Sequence, residues 1–552
     1  MSSLLERLPF LTNISSPYTL LFSVAGVLLC HGVVSVYRTK SGLGFLPGRT
    51  LLISPATVIG NFVLPRIRGI STGRNFLFVN KYSEFLRFGA SAYRLTTIYP
   101  TIESLLVLAD ADAIKEVTSS RARFPKPTEL YAVLAFFGRN IVVSEGDEWK
   151  KYRKISAPAF SEKNNKLVWD ETVSIVEGLF ADVWGDKKEI VVDHVVDITL
   201  PLALFVIGAA GFGQHMSWKD TEVCPEGHKL SFKQALHHVA TDVFIKLAVP
   251  GWAMGLTDRT RQTRLAFDEL ETYISEMIRE RTADGAVDKN DLFSNLLASN
   301  ASDSEKNAMT EQELAGNVFI FLIAGHETTA HTLAFAFAYL ALYPEEQEKV
   351  YQQIKTVLPN GGSPSYEDRT KLDRCIAAYY ETLRLVPPVT NVPKFSAEDT
   401  TLTITNAQGE KVVIPVPKGT QIALDTAGLH YNREKRLTYS RYTVLIRFHV
   451  RSLALYWKDP HAFKPDRFLS DYNRDAFIPF SAGSRSCIGR RFFEVEGISA
   501  LTLILSKYKI SIKEEPQFSH ETFEQRKERV LNARAGITVT PIRVPLVFTR
   551  RD

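Results

Sequence analysis

The chain has 552 residues, 45% hydrophobic and 11% aromatic, enough apolar material for a large buried core. Cys30, Cys224, Cys375 and Cys487 are scattered with no C-x-x-C pair, which argues against a disulfide framework or a structural zinc site and fits a reducing compartment. The formal charge of +5 resides in one segment, residues 433–455, which hold six Arg or Lys and one Glu; the remainder is neutral, so no nucleic-acid partner is indicated.

From the N-terminus, residues 17–37 (PYTLLFSVAGVLLCHGVVSVY) carry no formal charge over 21 positions. That length spans a bilayer core of about 30 Å as a helix. Glu6 and Arg7 cancel upstream, whereas Arg38, Lys40, Arg49, Arg66 and Arg68 follow, which places the C-terminal side in the cytoplasm. Residues 1–16 are then a short lumenal N-terminus, with Asn13-Ile14-Ser15 a glycosylation sequon. Residues 38–70 read as a membrane-proximal linker. Its stretch 50–69 is apolar but broken by Pro55 and Pro65, which suits shallow membrane contact better than a second span. Residues 71–552 form the catalytic domain.

Trp149 and Arg153 stand one helical turn apart, so an indole N–H and a guanidinium can face one anion. Gly208, Gly211 and Gly213 have the wrong spacing for a dinucleotide-binding loop. Residues 311–343 predict a long helix, apolar on all sides and therefore buried, ended by Pro344. Ala324-Gly325-His326-Glu327-Thr328-Thr329 interrupts it. Acidic and hydroxyl groups in such a helix are costly unless something uses them. Small Ala324 and Gly325 let a flat macrocycle approach the backbone, and Thr328 can bond a carbonyl one turn back and open the ladder. His326 and His331 are five apart, about 140° around the helix, so one zinc ion cannot easily reach both.

Glu381 and Arg384 share a helix face that ends before Pro387-Pro388, and Phe463-Lys-Pro465-Asp-Arg467-Phe468 follows. Last comes Phe480-Ser-Ala-Gly483-Ser-Arg485-Ser-Cys487-Ile-Gly489. Its glycines let the backbone fold around the sulfur, and a helix starting over 488–496 favours an anion at its N-terminal end, so the thiol is expected to ionise readily.

In this order, from residue 149 to 497, these motifs resemble the cytochrome P450 superfamily, the cysteine loop matching F-x-x-G-x-R-x-C-x-G at all five fixed positions. The resemblance implies a mainly α fold with a small β-rich lobe, preceded here by one transmembrane helix. It implies that Cys487 is the axial ligand of heme b, with Phe480 and Gly489 in its loop. By the same resemblance Ala324 and Gly325 lie against the haem, and Glu327 and Thr328 deliver protons. It assigns Trp149, Arg153, Lys394 and Arg485 to the propionates, and Glu381, Arg384 and Arg467 to a buried ion triad.

The implied activity is that of a haem-thiolate monooxygenase. One atom of O2 enters a lipophilic substrate, a terpenoid or similar fungal secondary metabolite, and the other leaves as water. Electrons reach it from NADPH through NADPH–cytochrome P450 reductase, with cytochrome b5 a further donor, at the endoplasmic reticulum membrane and with the catalytic domain in the cytosol. Lys150, Lys151, Lys154, Arg490 and Arg491 are candidates for the docking face. Residues 124–141, 319–324, 386–395 and 533–537 are candidates to line the substrate pocket. A haem-thiolate isomerase or dehydratase is the alternative, but it typically lacks the Glu327-Thr328 pair.

One segment departs from the pattern. The family joins its H-Y-N and W-x-D-P motifs by a few residues, whereas here 23 residues (433–455) separate Asn432 from Tyr456. They read as an atypical insertion, a retained intron or a gene-model error. If it disrupts the fold, the chain is an inactive haem protein.

Overall fold

The computed structural model describes residues 17–551 except 58, 220–223, 284–289, 303–307, 407, 433–455 and 537; Asn13 and the insertion lie outside the described residues. The chain forms two compact units, residues 1–125 with 391–429 and residues 126–390 with 430–552.

The first unit is built on a five-stranded sheet in the order Gly48–Ile53, Ala92–Tyr99, Glu103–Leu108, Gln421–Asp425, Asn391–Phe395. The first pair and the 103–108/421–425 pair are parallel; the others are antiparallel. Tyr93, Leu95, Leu106, Val107 and Ile422 are buried, as apolar residues on a covered sheet should be. Helix α1 (Pro17–Gly42) precedes it and runs five residues past the expected span, through Arg38 and Lys40. Phe22, Val27 and Leu29 on α1 are exposed, leaving an apolar helix with an uncovered surface. In the stretch 50–69 the first residues belong to the edge strand, with Leu51 buried, whereas Leu52, Ile59, Val63 and Ile67 are exposed. The segment read as a linker therefore supplies sheet.

The second unit is helical: α2 (Gly146–Ser156), α3 (Glu162–Gly178), α4 (Val196–Val206), α5 (Phe232–Ala248), α6 (Asp258–Ala283), α7 (Glu311–Leu342), α8 (Asp373–Leu385) and α9 (Arg490–Lys507). Helix α7 begins at a capping box, in which Thr310 Oγ1 accepts from the Glu313 amide and the Glu313 carboxylate accepts from the Thr310 amide. Its side chains from Val318 to Ile323 and from Thr329 to Leu340 are buried, so its apolar surface is spent on packing rather than on a membrane. The Glu313 carboxylate also receives Tyr152 Oη at 2.6 Å and Lys151 Nζ at 2.8 Å, which ties α2 to the start of α7. The strands 189–192, 546–550 and 508–512 form a small antiparallel sheet, and the hairpin Ala533–Ala535/Val539–Pro541 packs beside α7. The mainly α architecture with a β-rich N-terminal lobe is the one expected.

Candidate active site

The cysteine loop is held from two sides. Within it, the Cys487 amide donates to the Phe480 carbonyl at 2.9 Å, and Gly483 sits at φ +68°, a conformation that glycine adopts without strain. Gly489 has an ordinary φ of −86°, so its role is not backbone freedom. From α2, Arg153 Nη1 donates to the Ser486 carbonyl at 3.0 Å. The Arg485 guanidinium lies 4.3 Å above the buried Trp149 ring and donates to the carbonyls of Ser144 and Ile141. It also pairs with Glu145 at 2.8 Å, and despite burial that carboxyl is held below its usual range by Arg485 and backbone amides. Trp149, Arg153 and Arg485 are thus brought together around one loop. Glu145, the carboxylate partner of Arg485, had no signal in the sequence.

Helix α9 starts at Arg490, and Arg490 covers the Phe480 ring at 5.1 Å. Cys487 is an exposed residue, yet enough protein lies around its sulfur to desolvate the thiolate. Burial pushes its thiol up, and the Gly489 amide, Arg153 and Arg490 offset this only in part. The expected ready ionisation is therefore corrected for the protein by itself: desolvation outweighs the loop's positive potential.

On the opposite motif, Ala324 is exposed between the buried residues Ile323 and His326. Gly325 is explained differently from the sequence reading: a Cβ there would meet Ile207 Cδ1 at 3.0 Å, so its smallness admits a neighbouring side chain. Thr328 Oγ1 donates to the Ala324 carbonyl at 2.9 Å as expected, but α7 continues through this bond without opening. Glu327 is buried. Burial pushes its carboxyl up to about 7, the Thr538 hydroxyl offsetting a little of that, and Oε2 has no hydrogen-bond partner.

The ion triad is present. Arg384 Nε and Nη2 bind Glu381 in a fork at 2.7 and 2.8 Å, and Arg467 Nε reaches Glu381 Oε1 at 3.0 Å; both side chains of the first pair have no exposed surface. Arg384 Nη1 also donates to the carbonyls of His430 and Pro460. His430 closes the circuit: one ring nitrogen bonds the Arg384 carbonyl at 3.1 Å and the other accepts from the Ile478 amide at 3.0 Å. Burial, and Arg384 beside it, lower this imidazole to about 3, so it is neutral and can do both. The triad is thereby wired to the strand of chain entering the cysteine loop. His430 and Pro460 flank the insertion, and the Trp457 amide bonds the Asn432 carbonyl at 3.2 Å, so the insertion leaves and rejoins the fold at one point.

Lys394 is buried in the strand Asn391–Phe395 of the first unit, opposite Ile422. Sequence reasoning missed three residues besides Glu145 and His430. Thr538 and His331 contact each other and, through Thr538, Glu327. Glu496 on α9 is a fully buried carboxyl beside Thr329, raised well above its usual range by burial. None lies within a recognisable spacing of its partner.

The comparisons accord with this geometry. The family model described as Cytochrome P450 matches residues 74–435 and 450–537, and its interruption falls inside the insertion. Cytochrome P450 monooxygenase 124 of Postia placenta is 50% identical over 490 residues, 88% of this chain and 90% of the relative. Cytochrome P450 monooxygenase prx9 of Penicillium rubens is 30% identical, covering 74% of each chain. Among solved structures, the cytochrome P450DA heme domain aligns with a TM-score of 0.68 at 24% identity, over 86% of this chain and 93% of its own, a likeness of fold. The chain belongs to the cytochrome P450 family and is an oxygenase of that family.

Proposed function

We propose that this protein inserts one atom of O2 into a lipophilic secondary metabolite, a terpenoid or related scaffold, using NADPH-derived electrons from a membrane-bound reductase. The residues fit a haem: Ala324 is exposed between buried residues of α7, and Cys487 is exposed in a loop of half-buried residues, as the two walls of a site for a flat macrocycle would be. When bound, the haem supplies the O2 activation and oxygen transfer, and thiolate ligation favours O–O cleavage.

The protein's part is holding and proton handling. Cys487 is the iron ligand, in a loop fixed by Phe480 and Gly489. Trp149, Arg153, Arg485 and Lys394 are proposed for the propionates. Glu381, Arg384 and Arg467 brace the loop from below through His430. Glu327, poised near neutrality, both holds and releases a proton at physiological pH, and Thr328 passes it on by rotating its hydroxyl away from the Ala324 carbonyl. Phe136 and Phe137 cluster with Phe267 and Phe319 at centroid distances of 4.7 to 6.3 Å, an apolar wall suited to a hydrocarbon-rich substrate.

Among the proposed docking cations for the reductase, Lys150 pairs with Asp147, Lys151 with Glu313, and Arg490 and Arg491 with Glu494. Arg490, Arg491 and Lys150 remain about half exposed or more and carry the docking proposal. Helix α1 is the proposed anchor in the endoplasmic reticulum, with the catalytic domain in the cytosol.

The observation that carries the reading is Glu327, a buried carboxyl with one unpartnered oxygen, next to the Thr328 hydroxyl in a buried helix. Holoenzyme reconstituted with reductase tests it. Thr328→Ala should keep the thiolate-type spectrum of the reduced CO complex while diverting most O2 to peroxide. An unchanged split between product and peroxide defeats the proton-delivery reading. Cys487→Ala should lose that spectrum.

A further inference from the structure

Thr538 is buried at the tip of the hairpin Ala533–Ala535/Val539–Pro541, more than two hundred residues from Glu327 and His331 of α7. The hairpin is fixed in place: the Val539 amide donates to the Pro388 carbonyl at 2.9 Å, and the Gly536 amide to the Thr538 carbonyl at 3.0 Å. Its tip presents the Thr538 hydroxyl to two residues of α7. His331 Nδ1 lies 2.8 Å from Thr538 Oγ1, and Thr538 Oγ1 lies 3.3 Å from Glu327 Oε1. Glu327 and His331 are one turn apart on α7, so both face the hairpin.

We propose that His331 and Thr538 form a positioning relay for Glu327, which occupies Oε1 with a donated hydrogen bond and leaves Oε2 as the oxygen that exchanges the proton. The inference rests on the reading of Glu327 as the proton-handling group. A hydroxyl has one proton to give. Donating it to Glu327 requires Thr538 to accept from His331, so His331 carries its proton on Nδ1. Burial lowers the His331 imidazole to about 3, with His326, His194 and Arg534 acting in the same direction, so the ring stays neutral with one donor. Besides Thr538, the polar groups on the neighbouring turns of α7 are turned onto carbonyls of their own helix: His326 onto Leu322, Thr328 onto Ala324, Thr329 onto Gly325 and Thr332 onto Thr328. Among the described residues, Thr538 is the donor to Glu327. The relay is thus what opposes burial at this carboxyl: a bond to the ionised form favours ionisation and draws the group down toward neutrality.

Infrared difference titration of the substrate-free holoenzyme reads this without turnover. The protonated-carboxyl band assigned to Glu327 is the one absent in Glu327→Gln. In the native protein it should titrate near 7. Thr538→Val should move the midpoint up by about one pH unit, and Thr538→Ser should restore it. If Thr538→Val fails to fold, His331→Leu should raise the midpoint and His331→Asn, which keeps a donor near the Nδ1 position, should not. A midpoint unmoved by Thr538→Val, or by His331→Leu in its place, overturns the relay. Should Thr328→Ala leave coupling intact while Thr538→Val still moves the midpoint, the relay stands and the proton-delivery reading falls.

Discussion

At the scale of single residues, burial sets the chemistry. Glu327 binds its proton more tightly in the folded chain than in the unfolded one, because burial raises its carboxyl from 4.5 to about 7. Between those values the folded state holds more protons, so this group's contribution to stability falls as pH rises through the window. Glu327→Gln keeps an acceptor for Thr538 and removes the charge. Its melting temperature should exceed that of the native protein at pH 8, and the gap should close by pH 4.5. A constant gap across that range would show that Glu327 does not titrate there. Cys487 shows the same effect with the opposite functional sign. Burial raises the thiol and disfavours the thiolate, so the isolated protein leaves ionisation to the positive charge of a bound metal.

At the scale of elements, the Glu381–Arg384–Arg467 cluster joins α8 to the chain around Pro465 and, through His430, to the run entering the cysteine loop. Arg384→Leu leaves Glu381 charged with its main partner gone and should cost about 3–5 kcal/mol in chemical denaturation. Haem retention should fall with it, and a loss below 1 kcal/mol would mean that the cluster is not the brace. The insertion is a second test at this scale. Its ends meet at the Asn432–Trp457 backbone bond, and Arg384 already binds the carbonyls of His430 and Pro460 on either side. Replacing residues 433–455 by a short Gly/Ser link should preserve the CO-complex spectrum and thermal stability. Loss of haem on excision would mean that the insertion belongs to the working fold.

At the scale of the whole molecule, two helices among the described residues are long and apolar enough to cross a membrane, and they have opposite fates. Helix α7 is buried by its own protein, whereas α1 has its apolar side chains exposed. Removing residues 1–42 should therefore move the protein from the membrane pellet to the supernatant with its haem spectrum intact. Persistence in the pellet would locate the membrane contact elsewhere. The edge strand at 48–53 warns against a longer truncation, since it would open the sheet beside Ala92–Tyr99.

The sequence alone determined the order of motifs, the buried character of α7 and the pairing of Glu381 with Arg384 on one helix face; the roles proposed for Cys487, Glu327 and Thr328 came from the family resemblance. Those readings depend on local spacing, which a helical turn or a tight loop turns directly into geometry. Tertiary structure alone decided what lies between distant segments: Thr538 against Glu327, Glu145 against Arg485, Ile207 in the space left at Gly325, and His430 between α8 and the cysteine loop. It also decided the sign of the Cys487 shift. Desolvation depends on how much protein surrounds a group, and no pattern of neighbouring residues encodes that.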